Sequence, residues 1–276
     1  MTEERLKLFL ILLGALFMVG FCLMPFMYMG IISVSSRPDF LSGESLFKFT
    51  LKNYHAVLIM KSLHFLDYLR NSLIVSSISA VFAVLIAGLA AYSITRLPLP
   101  GKTLILFFVL AVSMFPQISL IGYLFKVMAR LGWINTYNAL ILPYIAWIMP
   151  LSLWILVSYF AQIPNELDKA ALIDGATRWQ TLRKVIFPVA APGLLSTGLL
   201  AFIFAFNEFM FALMLTTNYK TRTTPVGIAL FQGLHGEIPW GNIMAASVVT
   251  TIPVVILTIA FQRRMITGLT RGAVKG

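Results

Sequence analysis

The chain has 276 residues, 59% hydrophobic and 11% charged, with mean hydropathy +0.89 and net charge +11. Soluble domains carry about 25% charged residues, so a deficit over the whole length excludes a soluble globular protein and indicates a bilayer. The basic residues sit mainly at the ends of apolar runs and do not interleave with aromatics, which argues against nucleic acid and for lipid headgroups as partners. Cys22 is the only cysteine, so neither an intrachain disulfide nor a thiolate metal cluster is expected.

Six apolar runs reach the roughly 20 residues that a spanning helix needs. The first, Leu6 to Ser33, follows Arg5 and Lys7 and so resembles a signal peptide at its start. It is too long for one and lacks a small-residue cleavage site, which predicts an uncleaved helix. A polar stretch, residues 37–67, contains FTLKNY and forms an external loop in this reading. The second helix, Asn71 to Ile94, is rich in Ser, Ala and Gly, residues that let helix backbones approach closely.

After the short link TRLPLPGK, the third helix is predicted from about Thr103 to Phe125 with Pro116 inside it. The fourth is predicted from Ala139 to Ala161 with Pro143 and Pro150 inside, the fifth from Leu194 to Thr216, and the sixth from Ile243 to Phe261 with Pro253 inside. Prolines within spans free carbonyls that neighbouring helices or water must satisfy, which suits a packed, mobile bundle. Lys and Arg are denser in the short links on the side of the N-terminus, which predicts N-in, C-in and a cytoplasmic tail over 263–276.

Between the fourth and fifth runs lies a polar segment, 162–190, containing ELDKAALIDGATRWQTLRKVIFP. Asn165 is placed to cap a first short helix, with Glu166 and Asp168 at its positive end, and Gly175 to terminate it. T-R-W-Q reads as a capping box for a second helix, with Thr177 as N-cap and Gln180 as N3. Trp179, Leu182 and Ile186 fall on one side of that helix, and Pro188 is expected to stop it. Two readings fit this local pattern: an interfacial helix anchored by Trp179, and a stiff unit that docks on another protein.

Within the predicted fifth helix, Asn207 and Glu208 fall about midway. An ionisable residue there faces protein or a wet cavity, so the pair reads either as part of a solute path or as a clamp to a neighbouring helix. Phe204, Phe206 and Phe209 flank it and could stack on sugar rings, although core or lipid-facing positions fit them as well.

AALIDG followed nine residues later by VIFP resembles the EAA loop of ABC importer permeases, patterned E-A-A-x3-G-x9-I-x-L-P. Ala170, Ala171, Gly175 and Pro188 match, Asp174 fits the usual D-G pair, and Lys169 stands where the pattern has glutamate. With TLKNY, FIFAFNEFMFALML and the ending FQRRMITGLTRGAVKG, the chain resembles the smaller permease of maltose-type carbohydrate importers. The resemblance implies an all-α integral membrane protein of six spans with type I ABC importer architecture, in the bacterial inner membrane. It implies a second permease, a cytoplasmic ATPase dimer and an external solute-binding protein as partners. Lys169, Ala170, Ala171, Asp174, Gly175, Trp179 and Pro188 would then couple to the ATPase, and Asn207 and Glu208 would lie on the solute path.

No G-x-x-x-x-G-K-[ST] loop exists in the chain, so ATP and its Mg²⁺ are expected in the partner ATPase, with no cofactor and no catalytic residue here. The resemblance leaves trehalose, maltose or glucosylglycerol as solutes, with sn-glycerol 3-phosphate as the alternative. A secondary carrier would want more buried acids than Glu208 alone, and a membrane enzyme would want paired acids or clustered histidines.

Overall fold

A computed structural model describes residues 3–36, 48–231 and 238–270, the last nine of these as backbone only. Among the described residues five helices are long and apolar enough to cross a membrane, six if a bent pair counts as one span.

The chain divides into two compact units. One comprises residues 1–66 and 227–252. In it, α1 (Glu3–Ser33) exposes nearly every side chain, including Phe17, Phe21 and Met24. A helix apolar all round with its side chains this exposed is one that lipid or another chain must cover. The FTLKNY stretch fastens its end. Asn53 donates to the Ser33 and Ser35 carbonyls at 2.8 and 2.9 Å, and the Ser33 and Tyr54 hydroxyls lie 2.8 Å apart. Part of the predicted external loop is therefore helical: α2 (Lys52–Ile59) and a 3₁₀ turn, Lys61–Leu63. Residues 37–47 of that loop lie outside the described residues.

The second unit holds residues 67–226 and those from 253 onward. Along α3 (Phe65–Arg96), Ala80, Ala83, Ala87 and Ala91 are buried at helical spacing, the small-residue face expected from the sequence. The predicted third helix is broken. α4 (Lys102–Ser113) and α5 (Gln117–Arg130) meet at 87°. Pro116, extended at ψ 125°, precedes α5, because it supplies no N–H to a continuing helix and its ring clashes with the turn before it.

α6 (Tyr137–Phe160) keeps both prolines inside one continuous helix. It packs along α9 (Phe187–Phe206), where a Cβ on Gly193 would lie 2.6 Å from the Tyr159 ring, so only glycine permits this approach. On α3, Asn71 accepts from the Tyr137 hydroxyl at the start of α6 at 2.7 Å and donates to the Tyr219 and Arg222 carbonyls at 3.2 and 3.0 Å. That one buried amide fixes the turn before α11 (Thr224–Ala229) to two helices. The last helix, α12 (Trp240–Thr270), carries Pro253 inside it.

Candidate functional site

The segment between α6 and α9 folds as the capping signals dictate, with three corrections. α7 (Glu166–Ile173) ends at Gly175, whose φ of +82° is left-handed. Gly175 N–H donates to the Leu172 carbonyl at 3.1 Å and Ala176 N–H to that of Ala171 at 2.9 Å, the double bond of a Schellman turn. α8 (Arg178–Thr181) opens with the full capping box: Gln180 N–H donates to Thr177 Oγ1 at 3.3 Å, and Thr177 N–H donates to Gln180 Oε1 at 2.7 Å. The first correction concerns Pro188, which does not stop this helix. A π turn over Leu182–Ile186 absorbs the proline's missing donor, and α8 runs through it into α9 as one 29-residue rod, Arg178–Phe206. The fifth span thus begins sixteen residues before the expected Leu194, within the polar segment itself.

The second correction concerns Asn165, which makes no cap. Its side chain accepts instead from Arg96, at the end of α3. Arg96 Nη2 also donates to the Phe160 and Ile163 carbonyls at 3.2 and 2.6 Å, and its Nε lies 3.3 Å from Asp168 Oδ2. Tyr92, one turn earlier on α3, donates to Asp168 Oδ1 at 3.3 Å. The guanidinium is nearly buried, and its planar fork serves a carboxylate, an amide and two carbonyls together. This clamp, fastening α7 to α3, was not foreseen from the sequence, where Arg96 counted only toward orientation. About seventy residues separate it from Asn165 and Asp168, so no local pattern signals it.

The third correction concerns facing. Trp179 is 60% exposed, while Leu182 and Ile186 are buried. Lys169, Ala170, Asp174, Gly175 and Pro188 are exposed too, but Ala171 turns inward. Ile173, at 85%, and Leu172 are apolar and uncovered.

Asn207 and Glu208 lie not midway along a helix but in a break. α9 ends at Phe206, and α10 (Met210–Leu215) begins after Phe209. Asn207 Nδ2 turns back to the Ile203 carbonyl at 2.8 Å. Glu208, 8% exposed, accepts from Phe211 N–H at 2.8 Å and Ala212 N–H at 3.2 Å, capping α10 with its carboxylate. Gln117, first residue of α5, donates to Glu208 Oε1 at 2.9 Å. The breaks in the third and fifth spans are therefore joined by one side-chain bond. They border a cavity of about 410 Å³ that Trp147, Phe204 and Phe209 also line. Phe206 is not among them: it stacks on Phe202 in the core with centroids 5.5 Å apart.

Residues 80–271 match the family of binding-protein-dependent transport system inner membrane components. The chain belongs to that family. It is 56% identical over its full length, and that of its relative, to the trehalose/maltose transport system permease protein MalG of Thermococcus litoralis. It is 41% identical to the trehalose transport system permease protein SugB of Mycobacterium tuberculosis, over 94% of each chain. It is 44% identical to the sulfoquinovosyl glycerol transport system permease protein SmoH of Agrobacterium fabrum, over 82% of this chain and 79% of that one. Among solved structures it resembles a chain of a bacterial ABC transporter that imports the acidic polysaccharide alginate, with TM-score 0.78 and 21% identity over 95% of this chain and 98% of that one. The fold is thus that of a type I ABC importer permease, and the protein is a multi-pass inner membrane component of a binding-protein-dependent transport system.

Proposed function

We propose that this permease takes up a trehalose- or maltose-class sugar from an external binding protein, driven by a cytoplasmic ATPase dimer that hydrolyses ATP with Mg²⁺. A second permease completes the path, the chain runs N-in, C-in, and residues 162–190 are the contact with the ATPase. The observation that carries this reading is mechanical. α7 is pinned to α3 by Arg96, and α8 continues without interruption into α9, so a push on this segment moves two spans together. The uncovered Ile173, Leu172 and Trp179 beside the small Ala170 offer an apolar face of the kind a protein partner covers. Lys169 sits on that exposed segment and presents a cation where the family pattern has an acid. Asn207 and Glu208, in the fifth-span break, border the path in this reading, and the tail, outside the described side chains, serves as a further anchor or ATPase contact.

The mechanism is alternating access between two packings of similar free energy, each biased by ATP or by the loaded binding protein. Uptake of labelled trehalose, maltose, glucosylglycerol and sn-glycerol 3-phosphate by intact cells, with and without this chain, tests it. One neutral sugar is expected to be lost on deletion and on ATP depletion with the ion gradient kept. Loss that follows only the ion gradient would refute ATP-driven import.

A further inference from the structure

We propose that the joint around α2, where two membrane spans end, is a binding platform for anionic phospholipid, with apolar side chains among the acyl chains and lysines at the phosphates. The proposal rests on α1 and α12 crossing the bilayer and not on which solute is carried.

Helix length sets the level of this joint. α1 has 31 residues, about 46 Å at 1.5 Å per residue, against about 40–45 Å for a bilayer with its headgroups. Charged Glu3, Glu4 and Arg5 hold its start at one headgroup layer, so its end at Ser33 stands at the other. Residues 48–53 return onto that end. Ser35 and Phe49 form an antiparallel bridge, and Thr50 N–H donates to the Val34 carbonyl at 2.7 Å. Asn53, on the first turn of α2, holds the Ser33 and Ser35 carbonyls, and a Cβ on Gly241 would lie 2.6 Å from its amide nitrogen. The first turn of α12 thus rests on the same side chain, and α2 is fixed at the level where two spans end. Trp240, which opens α12, is a residue type enriched at that level.

What the joint leaves uncovered is apolar. Phe49 is 66% exposed and Ile59 63%, and Leu51 and Met60 are more than half exposed. Buried apolar area of this kind is what holds a short helix in the interfacial layer. Charge then selects the lipid. Lys48, Lys52 and Lys61 are exposed on the same joint, and residues 48–66 include no Asp or Glu. A lysine's stem can lie along lipid while its ammonium reaches a phosphate. Each such cation near a membrane surface adds about a fivefold preference for anionic lipid. The bound lipid gives α1, exposed over nearly its full length, a fixed point in the bilayer.

The test uses the complete transporter in phosphatidylcholine vesicles, with Cys22→Ser and Ile59→Cys, the new thiol carrying an environment-sensitive fluorophore. The same complex without Ile59→Cys supplies the background. Phosphatidylcholine or phosphatidylglycerol with a nitroxide near the glycerol is added at equal fractions. Both are expected to quench the probe, phosphatidylglycerol with at least about a fivefold higher apparent affinity. Lys48→Gln, Lys52→Gln and Lys61→Gln together should bring the two lipids level while quenching itself persists. These side chains are exposed, so their replacement leaves the fold intact. No quenching by either lipid would place the joint outside the bilayer. Equal affinity for the two lipids in the unsubstituted chain, or a preference that survives the three substitutions, would show that the lysines do not read the headgroup. Loss of quenching when the external binding protein is added would assign the face to that protein. Each of these three results overturns the platform.

Discussion

Arg96 is the residue on which the coupling segment's position depends most. Its guanidinium replaces water for Asp168, Asn165 and two carbonyls of the turn after α6. Removing one partner of a buried ion pair costs roughly 3–5 kcal/mol, since the other charge stays behind unpaired. Arg96→Ala is therefore expected to lower sugar transported per ATP hydrolysed while the chain still inserts. Arg96→Lys should not rescue it, because one ammonium cannot serve a planar fork of acceptors. Unchanged coupling in reconstituted vesicles would rule out the clamp as a transmitting contact. Glu208 gives a contrasting case. Glu208→Ala leaves the Phe211 and Ala212 N–H groups and the Gln117 amide without their acceptor, at about 1–3 kcal/mol for each buried orphan. Thermal unfolding in detergent should show a clear loss for Glu208→Ala and a smaller one for Glu208→Gln, which keeps one acceptor oxygen. Equal stability of the two variants would mean the cap is not structural. The capping box at Thr177 and Gln180 and the stop at Gly175 were legible in the sequence, because caps are written within four or five residues. The clamp was not, because its partners meet only through tertiary packing.

At the scale of elements, the segment from α7 to α9 works through its joints. Gly175 occupies a left-handed conformation that costs a residue with a side chain roughly 1–2 kcal/mol, and more when the side chain is β-branched. Nothing lies within 4 Å of a Cβ built there, so the cost of Gly175→Val is conformational rather than steric crowding. The variant is expected to insert normally and to transport several-fold less, measured as uptake at matched membrane levels. Normal uptake would show that the angle between α7 and α8 is not transmitted. The prolines divide by context in the same way. Pro143 and Pro150 sit inside an unbroken α6, Pro188 is absorbed by a π turn, and Pro116 breaks a span by 87°. Residue type alone predicts a disturbance at each; neighbouring helices choose whether it becomes a kink, a π turn or a break.

At the scale of the whole molecule, α1 is exposed over nearly its full length and so depends on surroundings outside its own fold. Cys22, exposed on that helix, reports on them. It is expected to resist a charged, membrane-impermeant maleimide in sealed cells, since the thiolate is the reacting species and a bilayer surrounds the middle of a span. Rapid reaction with the impermeant reagent would place α1 outside the lipid.

The bilayer as solvent, six apolar segments, the capping box and glycine stop of the coupling segment and the family were all legible along the chain, because hydropathy and capping are short-range signals and a motif is read residue by residue. Tertiary structure alone decided that Pro116 ends a helix, that α8 runs into the fifth span, that Arg96 holds α7, and that Gln117 meets Glu208 beside Trp147. The last two depend on groups tens of residues apart that meet only through packing, and the first two on how the surrounding helices take up a proline's missing donor, which residue type alone does not specify.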